Sequence, residues 1–411
     1  MLGIFNIFSL LYLLRGLQLG ATLWRERQEL IREPLTRHKK HLAEQASFFI
    51  AVPPGVFVHE LGHALAVWLF GGRVVEFGYR IFWGYVVPQG SFSPAQEWFI
   101  ALAGTLGNLV FGVTLWLLLR RYPASSLRYF ALRAFRFQLH FALIYYPVFT
   151  LFLPIGDWAT IYDFQATPIL SAATAIVHAA LLAWFWWADR AGVFEMPGYD
   201  AAAHQEASAI LQREAAANPH DTRLQLQYID ALRRGGATNK ARRHLSNFLK
   251  ANPDSAEAYL QLAALQNQNQ PQVSRQVSQN AEKALHFGLS DPRSLAVAHQ
   301  ILGRFHLDQG QGEEAVNHLS QAIATAAGTK TSEHQDGDAL FYAQLYHWRS
   351  QAYRRLRHYD LAYQDVQQAI DHAQSAGDER AASFFRGELE VLEKHAGRLF
   401  GATPTNSSER R

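Results

Sequence analysis

The residues best able to do chemistry in this sequence stand together at Val58-His59-Glu60-Leu61-Gly62-His63-Ala64-Leu65. Histidines four apart on a helix share one face, so His59 and His63 can direct two imidazoles at one metal ion. Glu60 lies beside them, where its carboxylate can take a proton from a water on that metal. The flanks are apolar: Phe48-Phe49-Ile50-Ala51-Val52 before and Ala64-Leu65-Ala66-Val67-Trp68-Leu69-Phe70 after. Ionisable groups inside an apolar run that approaches the length of a membrane span are costly and mark function. A helix that merely contains these letters is the lesser reading.

The 411 residues that must position this group are too many for one ordinary domain. Up to about Ala188 the chain is rich in Phe, Trp, Leu and Tyr; beyond about Tyr199 it is rich in Gln, Ala, His, Arg and Asp. The first part reads as membrane and the second as soluble helices. A net charge of +3 is too mild to argue for a nucleic-acid partner, and none is expected. The absence of cysteine removes disulfides, thiolate zinc sites and thiol nucleophiles, so any metal is held by His, Asp or Glu.

In chain order, residues 1–45 read as a membrane or interfacial helix (Met1 to about Trp24) and a basic loop with Arg25, Arg27, Arg32, Arg37, Lys39 and Lys40. The membrane core is expected over residues 46–190. Its first helix runs from about Ala46 to Phe70, with Pro53-Pro54-Gly55 forcing a kink or a restart just before the histidines. Gly71-Gly72 ends it. Val74 to Phe92 alternates loosely and reads as a short β-hairpin, either a plain connection or an edge for an extended peptide. Trp98 to Leu119 is the next span and holds Ala103-Gly104-Thr105-Leu106-Gly107-Asn108. Gly104 and Gly107 allow close helix packing, and Asn108 needs a partner within lipid. Gly104 and Asn108 are the expected substrate-binding positions.

A second basic loop (Arg120, Arg121, Arg128, Arg133, Arg136) leads to an apolar run, Phe137 to Leu153, ending in Pro154-Ile155-Gly156-Asp157-Trp158. Asp157, an acid among helix breakers at the end of that run, is the first choice for a third ligand. A helix cap is its alternative role, and His140 and His178 are rival ligands. Pro168 to Trp187 is the last span, with Trp184, Trp186 and Trp187 fitting an aromatic belt.

Residues 191–400 carry a repeat. Asn218-Pro219 and Asn252-Pro253 lie 34 residues apart, and Ala207/Leu211 and Ala241/Leu245 keep the same offset. Leu302-Gly303, Ala315, Leu319 and Ala322, then Tyr353, Ala362, Val366 and Ala369, continue the pattern. A 34-residue helix–turn–helix period is the tetratricopeptide signature. Gly328 to Asp338 reads as a loop inserted in the array, and residues 401–411 as a disordered tail. The fold class is therefore all-α: a polytopic helical membrane domain with a short β-hairpin, followed by a tetratricopeptide-like solenoid.

The first half resembles the site-2 protease-like intramembrane zinc metalloproteases. The likeness covers about Phe48 to Trp187 and rests on His59-Glu60-Leu61-Gly62-His63-Ala64, Gly71-Gly72-Arg73-Val74, Ala103-Gly104-x-x-x-Asn108 and Pro154-x-Gly156-Asp157. It implies Zn2+ held by His59, His63 and Asp157, with Glu60 as the group that activates water. Thr105 replaces a frequent Pro, and Gly-Asp-Trp replaces the common Leu-Asp-Gly. The implied activity is endoproteolysis of membrane-protein substrates, the repeats recruiting substrate or a protein partner. The other reading is an inactive membrane scaffold that binds partners through the repeats. A multi-pass protein of a prokaryotic plasma membrane is expected. Both basic loops, and with them the repeats, fall on the cytoplasmic side by the positive-inside rule. The charges then place the hairpin outside, whereas the resemblance would place it nearer the cytoplasm.

Overall fold

The computed structural model describes the backbone of residues 2–152, 156–268, 270–327 and 335–400. The chain divides into two compact units, Met1–Arg243 and His244–Arg411.

The first unit opens with α1 (Leu2–Arg25), a short α2 (Arg27–Leu30), α3 (Arg37–Phe49) and α4 (Val52–Leu69). The expected break at the proline pair is a true restart. Pro53 and Pro54 occupy the first turn of α4, where their missing N–H groups cost nothing. The carbonyl of Ala51, at the start of α4, accepts from the Gly55 N–H at 3.3 Å and from the Gln138 amide at 3.4 Å. That amide fits only because Gly55 has no side chain; a Cβ there would lie 2.6 Å from Gln138 Nε2.

After α4 the chain forms the hairpin β1 (Arg73–Tyr79) and β2 (Gly84–Gln89), an antiparallel pair with a bulge between Val74 and Glu76. The hairpin doubles back along α4: the Tyr79 hydroxyl donates to the carbonyl of Pro53 at 3.0 Å. Phe82, in the turn, packs on Tyr12 and Phe141. α5 (Pro94–Leu119) starts with a capping box in which Ser93 and Gln96 bond each other's backbone N–H.

α6 (Ser125–His140) occupies most of what the sequence reads as the second basic loop. Ala131, Ala134 and Gln138 are spaced to share a face and are buried, which makes this stretch a helix despite its arginines. A π-turn (Phe141–Tyr145) joins it to α7 (Tyr146–Phe152). There follow α8 (Asp157–Ile161) and α9 (Pro168–Arg190). Leu153, expected to close the fourth span, lies outside the described residues. Three helical stretches among the described residues are long and apolar enough to cross a membrane: Arg37–Leu69, Pro94–Leu119 and Pro168–Arg190.

The basic segments meet at one end of this unit. The Glu33 carboxylate accepts from the backbone N–H and the hydroxyl of Ser125, both at 2.7 Å. Arg136 pairs with Asp189 at 2.6 Å, and Lys40 donates to the carbonyl of Met196 at 2.9 Å. α10 (Ala202–Ala217) and α11 (Thr222–Arg234) belong to the same unit. Ala207 is exposed and Leu211 only half-buried, unlike the buried Ala241 and Leu245 at the same repeat positions. α10 opens the array, and its buried face runs through Ser208 and Ala215 instead. α12 (Thr238–Ala251) follows.

The second unit contains α13 (Ala256–Asn267), α14 (Arg275–Phe287), α15 (Pro292–Asp308), α16 (Gly312–Ala327), α17 (Gln335–Arg355), α18 (Tyr359–Ser375) and α19 (Glu379–Phe400). Ser255, Ser274 and Asp291 cap α13, α14 and α15 with their side chains. The small repeat positions do what small residues allow. Ala315, Ala322, Ala362 and Ala369 are fully buried. A Cβ on Gly303 would lie 2.5 Å from Leu319, so α15 and α16 touch there backbone to side chain. Of the expected inserted loop, residues 328–334 lie outside the described residues, and α17 already begins at Gln335. The expected tail, 401–411, also lies outside them.

Candidate metal centre

His59, Glu60 and His63 lie on α4 and are buried. The two imidazole Nε2 atoms are 3.1 Å apart. The Asp157 Oδ2 is 2.9 Å from Nε2 of His59 and 3.3 Å from Nε2 of His63. Asp157 is brought there by Gly156, whose φ of 100° lies in the region that favours glycine. Asp157 then opens α8, and Trp158 beside it is buried against His178.

Three donor atoms thus converge from positions 98 residues apart or less in sequence. Ligands 2.0–2.1 Å from a tetrahedral zinc stand roughly 3.3 Å from each other, close to the spacings seen here. Two imidazoles and one carboxylate are also the donor set of a catalytic zinc site with one position left open. His59, His63 and Asp157 are the one group of this kind found among the described residues. The rival ligands are elsewhere. His178 is held by the carbonyl of Leu143 at 2.7 Å on one nitrogen and the Tyr162 hydroxyl on the other. His140 packs on Phe141.

The outer nitrogens of the histidines are held too. His63 Nδ1–H donates to the carbonyl of Ile100 on α5 at 2.7 Å. His59 Nδ1 lies 3.2 Å from the Asn108 amide, which is buried. With Nε2 turned to a metal, Nδ1 carries the proton and needs an acceptor. The Asn108 Oδ1 has no hydrogen-bond partner among the described residues and suits that need once the amide is turned to face it. Asn108 and Gly104 therefore stand against the histidines. A Cβ on Gly104 would lie 2.3 Å from Nε2 of His63 and 2.7 Å from Nε2 of His59. Gly62 and Gly107 bring α4 and α5 into backbone contact at the same level: added Cβ atoms would lie 2.3 Å from the carbonyl oxygen of Ala103 and 2.5 Å from that of Val58.

Two contacts were not legible in the sequence. The Tyr146 ring lies over His59, with centroids 5.0 Å apart. Gly84, first residue of β2, backs directly onto the Glu60 side chain. No hydrogen bond or ion pair to the Glu60 carboxylate occurs among the described residues, so the hairpin backbone is what fixes its place. A cavity of about 790 Å³ opens onto His59, Glu60, His63 and Asp157, with Tyr85 and Val86 of β2 on its wall.

Residues 54–190 match the model of the Peptidase M50B-like family, and residues 222–265 that of a tetratricopeptide repeat. No curated protein matches the chain. Solved structures similar to it include these two. The crystal structure of MamA protein shares 20% identity, with 46% of this chain and 97% of that one covered, at a TM-score of 0.29. That of the APC/C hetero-tetramer Cut9-Hcn1 shares 13% identity, with 87% and 66% covered, at a TM-score of 0.37.

Proposed function

We propose that this chain, with a Peptidase M50B-like domain ahead of tetratricopeptide repeats, is a zinc endopeptidase that cuts membrane-associated proteins. The observation that carries the reading is the convergence of His59, His63 and Asp157 on one point, with Glu60 beside it at the mouth of one cavity. Zinc held there would supply a Lewis acid that polarises a carbonyl and makes water nucleophilic near neutral pH.

The protein's own groups do the rest. Glu60, with no competing hydrogen bond among the described residues, takes the proton of the attacking water and returns it to the leaving amine. Asn108 and the carbonyl of Ile100 hold the two imidazoles in the tautomer that faces the metal. A peptide bond within a helix is shielded by its own hydrogen bonds, so the substrate must be held extended. β2 has one edge paired to β1 and contributes Gly84 to Val86 to the cavity wall, which makes its free edge the place for that strand. The basic end of the first unit, where Glu33 bonds Ser125 and Lys40 bonds the carbonyl of Met196, faces the cytoplasm by the positive-inside rule, and the repeats follow it in the chain. They recruit substrate or a protein partner.

The test is cleavage of a single-span reporter by the full chain in proteoliposomes. Cleavage should stop on chelation and return with added zinc. Cleavage that persists in the metal-free protein would overturn the reading. A folded, zinc-loaded protein that cleaves nothing would favour a scaffold that acts through its repeats.

A further inference from the structure

The seam between α9 and α12 carries a second arrangement, independent of the metal centre. The Glu195 carboxylate accepts from the backbone N–H of Asn239 at 2.9 Å and of Lys240 at 3.1 Å, at the first turn of α12. Asn239 Nδ2 donates to the carbonyl of Asp189 at 3.3 Å, and Lys240 Nζ to that of Glu195 at 2.6 Å. The start of α12 is thus fastened to the end of α9. The acids here are already engaged, since the Asp189 carboxylate pairs with Arg136.

Three arginines remain on the outside. The Arg190 guanidinium lies 4.1 Å over the Trp186 ring, and that of Arg243 lies 5.5 Å over the Trp187 ring. Arg242 is the neighbour of Arg243 and is also exposed. None of the three forms an ion pair among the described residues. Both indoles are open, Trp186 at 58% and Trp187 at 49%. A guanidinium set over an indole is held in place while N–H groups stay available for an acceptor. The indoles sit in the last turns of an apolar helix long enough to span a bilayer, at the level where tryptophan meets headgroups.

We propose that Arg190 and Arg243, set on Trp186 and Trp187, together with the adjacent Arg242, bind the phosphates of anionic phospholipids, so that the start of α12 rests on the membrane surface. Three cations without counter-charge beside a membrane span fit an anionic headgroup, and the indoles fit the acyl boundary beneath it. Each arginine near an anionic surface contributes roughly a fivefold preference.

The experiment reconstitutes the full chain with spin-labelled phosphatidylglycerol or phosphatidylcholine and measures the motionally restricted fraction of each. The native chain should prefer phosphatidylglycerol by at least roughly fivefold, less so at high salt. The triple variant Arg190→Gln/Arg242→Gln/Arg243→Gln should lose that preference, and the corresponding triple Lys variant should keep most of it. Equal restriction of the two lipids by the native chain would overturn the proposal. So would a preference that survives in a folded triple Gln variant. Should the Gln variant fail to fold, the salt series on the native chain decides: a salt-independent preference would count against headgroup binding.

Discussion

Gly84 and Glu60 touch: a Cβ built on Gly84 would lie 2.5 Å from Glu60 Cγ and 2.8 Å from its Oε1. The hairpin is therefore the back wall of the carboxylate that would handle the proton, as well as a strand beside the cavity. Gly84→Ala should push that carboxylate aside while leaving His59, His63 and Asp157 in place. A misplacement of about 1 Å can cost roughly a hundredfold in rate. The variant should keep one zinc per chain and lose at least tenfold in kcat, with KM less affected. Metal loss in step with activity would show that the glycine supports the ligands instead.

Asn108 should matter through His59. Asn108→Ala leaves Nδ1–H without its buried acceptor and should weaken zinc binding by about 10–100-fold, the usual effect of removing a ligand's outer partner. Competition with a chelator of known affinity measures this. Unchanged affinity together with a raised KM would return Asn108 to direct contact with substrate.

Gly104→Ala is a sharper test of the packing. Its Cβ would fall 2.3 Å from Nε2 of His63, on the side where the lone pairs meet. The variant should fold and fail to hold zinc, as should Asp157→Asn in larger part than any variant at His140 or His178. Elemental analysis of the purified chains reads out all four.

What sequence could and could not reveal follows from the range of the interactions. His59 and His63 are legible because helix geometry alone puts them on one face, and Glu60 because it adjoins them in the motif. Asp157 is legible as an acid among helix breakers after an apolar run, although the 98-residue separation gives no distance. Asn108 and Gly104 stand out as unusual in a span, yet their contacts with the histidines depend on how closely α4 and α5 approach. The Gly84 contact needs the hairpin to fold back along α4, and the Tyr146 stack needs the π-turn; neither has a local signal. α6 was hidden by its arginines, because charge suggested a loop where the Ala131, Ala134 and Gln138 face makes a helix. Ala207 matched the repeat pattern but stays exposed, since a pattern does not show which repeat comes first.

The histidine row between α15 and α16 should respond to acid. His299, His306 and His318 stack in a row, with Nδ1 of His299 and His318 3.1 Å apart. Burial, then the neighbouring His299 and His306, push the His318 pKa down to about 4. An unfolded histidine titrates near 6.5, so on acidification the unfolded chain takes the proton first. The stabilisation is complete above pH 6.5 and is lost as pH falls toward 4. Hydrogen exchange in α15 and α16, corrected for intrinsic rates, should show protection falling over that window. In His318→Gln the fall should be smaller.

The most direct measurement compares new protein termini in membranes that carry either the native chain or Glu60→Gln, each checked for folding and bound zinc. A set of termini present only with the native chain, arising within or beside membrane spans of other proteins, is the expected result, and it would name the substrates. Identical sets of termini from two folded, zinc-loaded proteins would contradict proteolysis at this centre.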